Sequence, residues 1–234
     1  MKIGIITMHR VQNIGSVLQA YALQHKISQW GYDSELIDYA FPPQNNTISI
    51  RSVLGTIWNA SQGFPQQKKE RKLSEFRCKY FHCSPVTYTK ESIHINPPEY
   101  DVYCTGSDQV WNPKHIGNDT TFMFDFVPVN KPRISYASSF ATDEIPQNLK
   151  QQFSNCLSLY HFITVREQSG VKIVKELTGK ESKVVCDPTL LLDDKEWGNI
   201  SSESNMFSHN GFILVYLLRY MFDPRPYFYN IVET

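Results

Sequence analysis

Residues 2–39 read KIGIITMHRVQNIGSVLQAYALQHKISQWGYDSELIDY. The stretch divides into three parts. Lys2 to Met8 is short, apolar and β-branched, as a strand buried on both faces requires. A polar loop runs from His9 to Gly15. From Ser16 to Trp30 the apolar residues Val17, Ala20, Leu23, Ile27 and Trp30 recur at spacings of three and four, which places them on one helix face. Gly31 stands where a helix C-terminus favours glycine, and Glu35 to Tyr39 reads as a second strand. A strand, a crossover helix and a strand in about 40 residues form the unit from which parallel sheets with right-handed crossovers are built.

The rest of the chain repeats the alternation. Phe41 to Phe64 is rich in Pro, Asn, Ser and Gly and reads as an irregular excursion. Gln66 to Tyr80 is helical in composition, with Leu73, Phe76 and Tyr80 on one side. Strands are expected at Asp101–Gly106, Arg133–Ala137, His161–Arg166 and Lys183–Cys186. Helices are expected from Pro146, carrying Leu149, Phe153, Cys156, Leu157 and Tyr160, and over Gly170–Leu177, closed by Gly179. The pattern predicts an α/β fold: a Rossmann-like, open, mostly parallel sheet flanked by helices. Gly211–Leu218 reads as one more buried strand, but Pro224 and Pro226 oppose the helix that should follow it. Residues 1–205 are therefore expected to form one domain, and 206–234 the stub of an incomplete second.

Composition narrows the function. The 234 residues are 41% hydrophobic, which excludes disorder as the main state, and 23 Lys plus Arg balance 23 Asp plus Glu. A net charge of zero argues against a general nucleic-acid binder, which needs a cationic excess. The longest apolar run, Phe212–Leu218, is too short to cross a bilayer, which takes about 20 residues. A cytoplasmic protein is expected, with peripheral contact at a membrane surface left open. Six cations against Glu70 and Glu75 in Gln66–Tyr80 are either a solvated face or a surface for anionic ligands or lipid headgroups. Five cysteines without a CxxC pair indicate neither a disulfide framework nor a zinc site. Cys104 and Cys186 sit in strand-like runs and are expected in the core. The seven histidines lack metal-ligand spacing, so no metal is expected.

Open α/β sheets bind ligands beyond the carboxyl ends of their strands, and four loops fall there. In MHRVQNIGS, residues Asn13, Gly15 and Ser16 surround a helix start whose free N–H groups attract anions, unless Asn13 or Ser16 merely caps the helix. His9 and Arg10 add donors. Gly106–Pro113 presents a carboxylate, two amides and an indole: Asp108, Gln109, Asn112 and Trp111. Sugar sites use such a set, unless Trp111 packs into the core. Arg166 emerges at a strand end beside Glu167, suited to a carboxylate or phosphate or else to a structural ion pair. Asp187 orients a ligand or caps a turn. Ser138 and Ser139 lack a GxSxG setting, which opposes a nucleophilic serine. His115 lies near the Trp111 loop.

Five segments, KIGIITMHRVQNIGSVLQAYALQ, YDVYCTGSDQVWNP, ISYASSF, TVREQSGVKIVKELTG and VVCDPTLLLD, run in order from residue 2 to 193 and together resemble the polysaccharide pyruvyl transferase family. Ile14 stands where that family's N-x-G-S segment carries an aromatic. The resemblance implies two Rossmann-like halves in a glycosyltransferase-B-like arrangement. It implies transfer of pyruvate from phosphoenolpyruvate onto two hydroxyls of a sugar or lipid-linked oligosaccharide as a cyclic ketal, in surface or exopolysaccharide biosynthesis. Phosphoenolpyruvate is then the donor substrate, and no cofactor is needed. By the same resemblance Arg166 and Asp108 are catalytic candidates. Asn13, Gly15, Ser16, Gln19, Ser107, Gln109, Trp111 and Asn112 are substrate-binding candidates. Because the family continues through a whole second domain, a chain ending inside that domain is expected to be inactive or nearly so alone. Two other readings stay open: a nucleotide-sugar glycosyltransferase of the same architecture, and a non-enzymatic sugar- or anion-binding module.

Overall fold

The computed structural model describes residues 1–41 and 65–201. The expected excursion from 42 onward and the expected strand at Gly211–Leu218, with the 206–234 stub, lie outside the described residues. The chain divides into two compact units, Met1–Asp194 and Lys195–Thr234, and the architecture below is that of the first.

Strands β1 (Lys2–Ile6), β2 (Asp33–Leu36), β3 (Val102–Thr105) and β4 (Arg133–Ser135) form a parallel sheet in the order β2-β1-β3-β4. β5 (Thr164–Val165) and β6 (Lys183–Val184) form a second parallel pair. Isolated bridges from Ile134 to Phe162 and from Ser138 to Val165 join β4 to β5, so the ladder runs on across the molecule. The α/β architecture with an open parallel sheet is as expected. The strands are shorter than the apolar runs that announced them, because pairing stops where each segment turns into its ligand-side loop.

Helix α1 (Ile14–Gln29) begins two residues earlier than the apolar period alone indicated. Asn13 supplies the reason: its Oδ1 accepts from the backbone N–H of Gly15 at 2.8 Å and of Ser16 at 3.4 Å, satisfying two of the donors a helix start leaves open. Helix α2 (Pro65–Tyr80) packs on α1 through Tyr21, whose ring meets Phe76 and Tyr80 edge-on at 5.7 Å each. The helix expected from Pro146 covers Gln147–Leu157, with Tyr160 just beyond it. The one expected from Gly170 begins at Gln168 and ends in Gly179, whose φ of 71° is the left-handed cap that only glycine adopts freely.

Two apolar clusters fill the layers between sheet and helices. One gathers Ile3, Ile5, Ala20, Leu23, Ile27, Leu36 and Cys104; the larger runs from Ile6 and Ile37 through Trp111, Phe122 and Phe140 to Val174. At the amino end of the sheet, Gly4 lies under the Tyr100 ring so closely that an added Cβ would stand 2.2 Å from a ring carbon. That ring's hydroxyl donates to Glu35 Oε2 at 2.9 Å, while Glu35 Oε1 accepts from Lys2 Nζ at 2.7 Å. Cys104 is core as expected, and burial pushes its thiol up to about 12. Cys186 is exposed, against expectation: β6 is an edge strand and ends before it.

Candidate functional site

The loops leaving the carboxyl ends of β1, β3 and β5, with the loop after β6, meet above the sheet. Between them lie two cavities that share Asn13, Ser16 and Asp108. One, of about 320 Å³, is lined also by Gly15, Gln19, Arg166, Asp187 and Thr189. The other, of about 500 Å³, is lined also by Arg10, Tyr39, Phe41, Gln109 and His115. A hydrogen bond from Ser16 Oγ to Asp108 Oδ2 stands between them. The segments around 13–16, 106–109 and 166 thus sit on one rim, although they are up to about 150 residues apart in the chain.

Asp108 holds its place at a conformational cost. Its φ is 79°, in the left-handed region that few side chains other than Asn and Asp visit. The loop is pinned there from the neighbouring strand: Ser139 donates its N–H to the Asp108 carbonyl at 3.0 Å, and Asp108 bridges Ser138. Its Oδ1 accepts from the Gln109 N–H at 2.8 Å. Strained backbone of this kind persists only where the surroundings over-determine it, and it gathers at functional sites.

Arg166 is not free. Its Nη1 donates to Asp187 Oδ2 at 3.1 Å, and its Nε lies 4.0 Å from Glu167. Asp187 is the cap that its sequence position allowed, and it also holds its neighbours. Oδ1 caps the turn that follows, accepting from Thr189 N at 3.0 Å and Oγ1 at 2.9 Å. Oδ2 takes Arg166 together with Ser107 Oγ at 3.1 Å. Burial works to raise the Asp187 pKa, but the bonds from Thr189, Arg166 and Ser107 outweigh it and hold the group below the ordinary carboxylate range. Two carboxylates and one guanidinium leave the smaller cavity with a formal charge of −1.

The remaining candidates divide. Gly15 and Gln109 line the cavities. Gln19 is buried and anchored, with Nε2 donating to Thr7 Oγ1 at 2.9 Å and to the Ser16 carbonyl at 2.8 Å. Ser107 lies beneath the rim, its carbonyl accepting from Thr7 Oγ1 at 2.8 Å. Asn112 is buried as the cap of the short helix Pro113–Ile116, accepting from Lys114 N at 3.0 Å and donating to Gln109 Oε1 at 2.9 Å. Trp111 corrects an expectation: it has no exposed surface, its ring packs on Phe140 and Tyr160, and it does not reach either cavity. Asp108 turns the loop outward, and the chain dives back before Trp111 is reached. Ser138 and Ser139 are buried and spend their hydroxyls on Gly106 O and Glu167.

One group at this end escaped the sequence reading. Asp38, just past β2, accepts from Arg10 Nε at 2.5 Å and Nη2 at 2.6 Å and from Thr87 Oγ1 at 2.5 Å, and it faces His9 Nε2 at 3.1 Å. Burial opposes its charge, but the bonds from Arg10, His9 and Thr87 hold it far below the ordinary carboxylate range. The donors expected of His9 and Arg10 are therefore already engaged. The strand-end rule that picked out the other loops applies equally to the Asp in ELIDY and would have found it. Among the described residues, no group of three or more His, Cys, Asp or Glu side chains could hold a metal, and no helix is long and apolar enough to cross a membrane.

Fold and rim together define an α/β protein of the open-sheet kind whose polar pocket lies beyond the carboxyl ends of its strands. Residues 13–232 match the family described as Polysaccharide pyruvyl transferase, and the chain belongs to that family. No curated protein and no solved structure matches it.

Proposed function

We propose that the protein transfers pyruvate from phosphoenolpyruvate onto a sugar, and that the cavities split by Ser16 and Asp108 receive the sugar acceptor. One observation carries this assignment: the smaller cavity has a formal charge of −1, its guanidinium is already paired with Asp187, and Asp108 keeps lone pairs free. Such a set accepts hydrogen bonds from neutral hydroxyls, whereas a multiply charged donor in the same place would meet net repulsion. The larger cavity adds the Phe41 ring, a surface for the apolar C–H patches of a pyranose.

The chemistry sets the roles. A base removes the proton of the attacking hydroxyl, whose oxygen bonds to the central carbon of phosphoenolpyruvate while a proton is added to its methylene carbon. Phosphate then leaves with the C–O electron pair. The second hydroxyl closes the ketal, and its proton goes to solvent or phosphate. Asp108 is the base in this reading, since Ser16 and its own neighbour's N–H are its partners and both cavities open onto it. Arg166, held by Asp187, orients the hydroxyl pair.

The test incubates the protein with phosphoenolpyruvate and a panel of free, nucleotide-linked and lipid-linked sugars. Phosphate release is followed together with the mass gain of one pyruvate less one water. Release coupled to that gain, lost in Asp108→Asn, is expected on this reading, and it would also overturn the expectation from sequence that these 234 residues alone are inactive or nearly so. Transfer of the sugar itself from a nucleotide sugar, or ketal formation undiminished in Asp108→Asn, would overturn the reading.

A further inference from the structure

Helix α2 carries Lys68, Lys69, Arg71, Lys72, Arg77 and Lys79 against Glu70 and Glu75, a net +4 in sixteen residues. The chain as a whole is neutral, so the remainder carries −4. The charge is sorted by face. At 100° per residue, Lys68, Lys72 and Lys79 fall within about 40° of one another and form a row about 16 Å long. Leu73, Phe76 and Tyr80 lie on average about 90° round the helix from that row, turned to the body of the protein, where Phe76 and Tyr80 meet Tyr21. Arg77, on that inner side, is bound by Glu70 at 2.6 Å, and Arg71 pairs with Glu75 at 3.4 Å. Lys68, Lys69, Lys72 and Lys79 are all exposed, and no carboxylate partner is found for them among the described residues, although Lys79 Nζ lies over the Tyr80 ring at 4.8 Å.

We infer that this outward row is a docking surface for an anionic lipid bilayer. Four observations select that partner. The cations are lysines on flexible stems, point charges suited to a fluid headgroup layer rather than to the fixed fork geometry an arginine would read. The helix's rings are half-buried and engaged, Phe76 and Tyr80 against Tyr21 and Tyr80 also beneath Lys79 Nζ at 4.8 Å, so the surface offers no free ring on which bases could stack. The row is straight and single-sided, while the −4 of the remaining chain would repel a polyanion that wrapped around the molecule. The helix also borders the site. Arg77, Ser74 and Cys78 line a cavity of about 430 Å³ with His9, Arg10 and Asp38, and Arg10 also lines the larger of the two cavities at the rim, which together form the groove of the site. A membrane on the outer face of α2 would lie beside the groove, where an acceptor carried on a lipid would enter. That last consequence rests on the proposed function; the docking itself does not.

Co-sedimentation of the full chain with vesicles tests the inference without sugar or phosphoenolpyruvate, so its failure would leave the acceptor assignment standing. The vesicles are phosphatidylcholine alone or with about one-third phosphatidylglycerol. Binding is expected only to the anionic vesicles and should fall steeply between about 0.1 and 0.5 M salt as the screening length shrinks. Each cation near such a surface contributes roughly fivefold, so K68Q/K72Q/K79Q should lower partitioning about a hundredfold. K68R/K72R/K79R keeps the charge and should keep the binding. K150Q/K172Q/K183Q, the same charge change on other elements, should leave it within about twofold. Thermal melts by circular dichroism confirm that the exposed substitutions leave the fold intact. Equal binding to neutral vesicles, native-level binding by K68Q/K72Q/K79Q, or tighter binding to a DNA or RNA duplex at the same salt would each overturn the proposal.

Discussion

Two aspartates mark the carboxyl end of this sheet, and they are opposites. Asp38 is saturated: Arg10 with two nitrogens, Thr87 and His9 surround its carboxylate in an ordinary loop. Asp108 has one side-chain partner, Ser16, stands on a left-handed backbone and borders both cavities. A carboxylate whose lone pairs are all engaged contributes to stability and is spent for chemistry. One held in an unfavourable conformation with lone pairs to spare costs stability and keeps its chemistry. The contrast separates scaffold from site more sharply than proximity to a pocket does, since both groups stand within a few residues of the same groove.

The largest test of that contrast is Asp108→Asn. It should lower transfer by about 10²–10⁴-fold, the usual contribution of a positioned base, while the urea midpoint stays near that of the native protein. Comparable loss of both activity and fold would place Asp108 with Asp38. Three residues on, Trp111→Ala should do the reverse, destabilising by about 3–5 kcal/mol through loss of a fully buried ring. Trp111→Phe should keep sugar affinity, measured by calorimetry, within a few-fold; a large drop there would return the indole to the binding surface. Asp38→Asn should cost about 2 kcal/mol in urea unfolding, because Arg10 and His9 lose the charge they were arranged around. Its effect on the Michaelis constant should stay small.

The smallest test is a pH profile. Asp38 and Asp187 both have folded pKa values below their unfolded ones. Such groups stabilise the folded state above the unfolded value of about 3.9, and that contribution is lost as pH falls through their folded values. The urea midpoint should therefore decline from about pH 4 downward, and Asp38→Asn should flatten the decline. An unchanged slope in that variant would mean that Asp38 is less committed than its four contacts indicate.

Much of this was legible in the sequence for physical reasons. The β-α-β unit of residues 2–39 was plain because a strand buried on both faces and a one-faced helix leave different apolar periods, 2–6 and 14–29. The loops at 13–16, 106–109 and 166 could be chosen because every parallel strand delivers its next loop to the same end of the sheet. The direction of a side chain within a loop could not. Trp111 and Asp108 are three residues apart in one polar stretch, and only the positive φ at 108 sends one outward and lets the other return to the core. Asp187 was open between cap and ligand group because a carboxylate has two oxygens; here Oδ1 caps the turn and Oδ2 holds Arg166.

The contact between Gly4 and Tyr100 sets how the first strand tolerates change. A single methyl there cannot be absorbed locally, because the ring it displaces is fastened by its hydroxyl to Glu35 on the next strand, and Glu35 in turn to Lys2. Three segments of chain are thus keyed to one missing side chain. A substitution at Gly4 would therefore be felt in all three segments, at the end of the sheet away from the cavities.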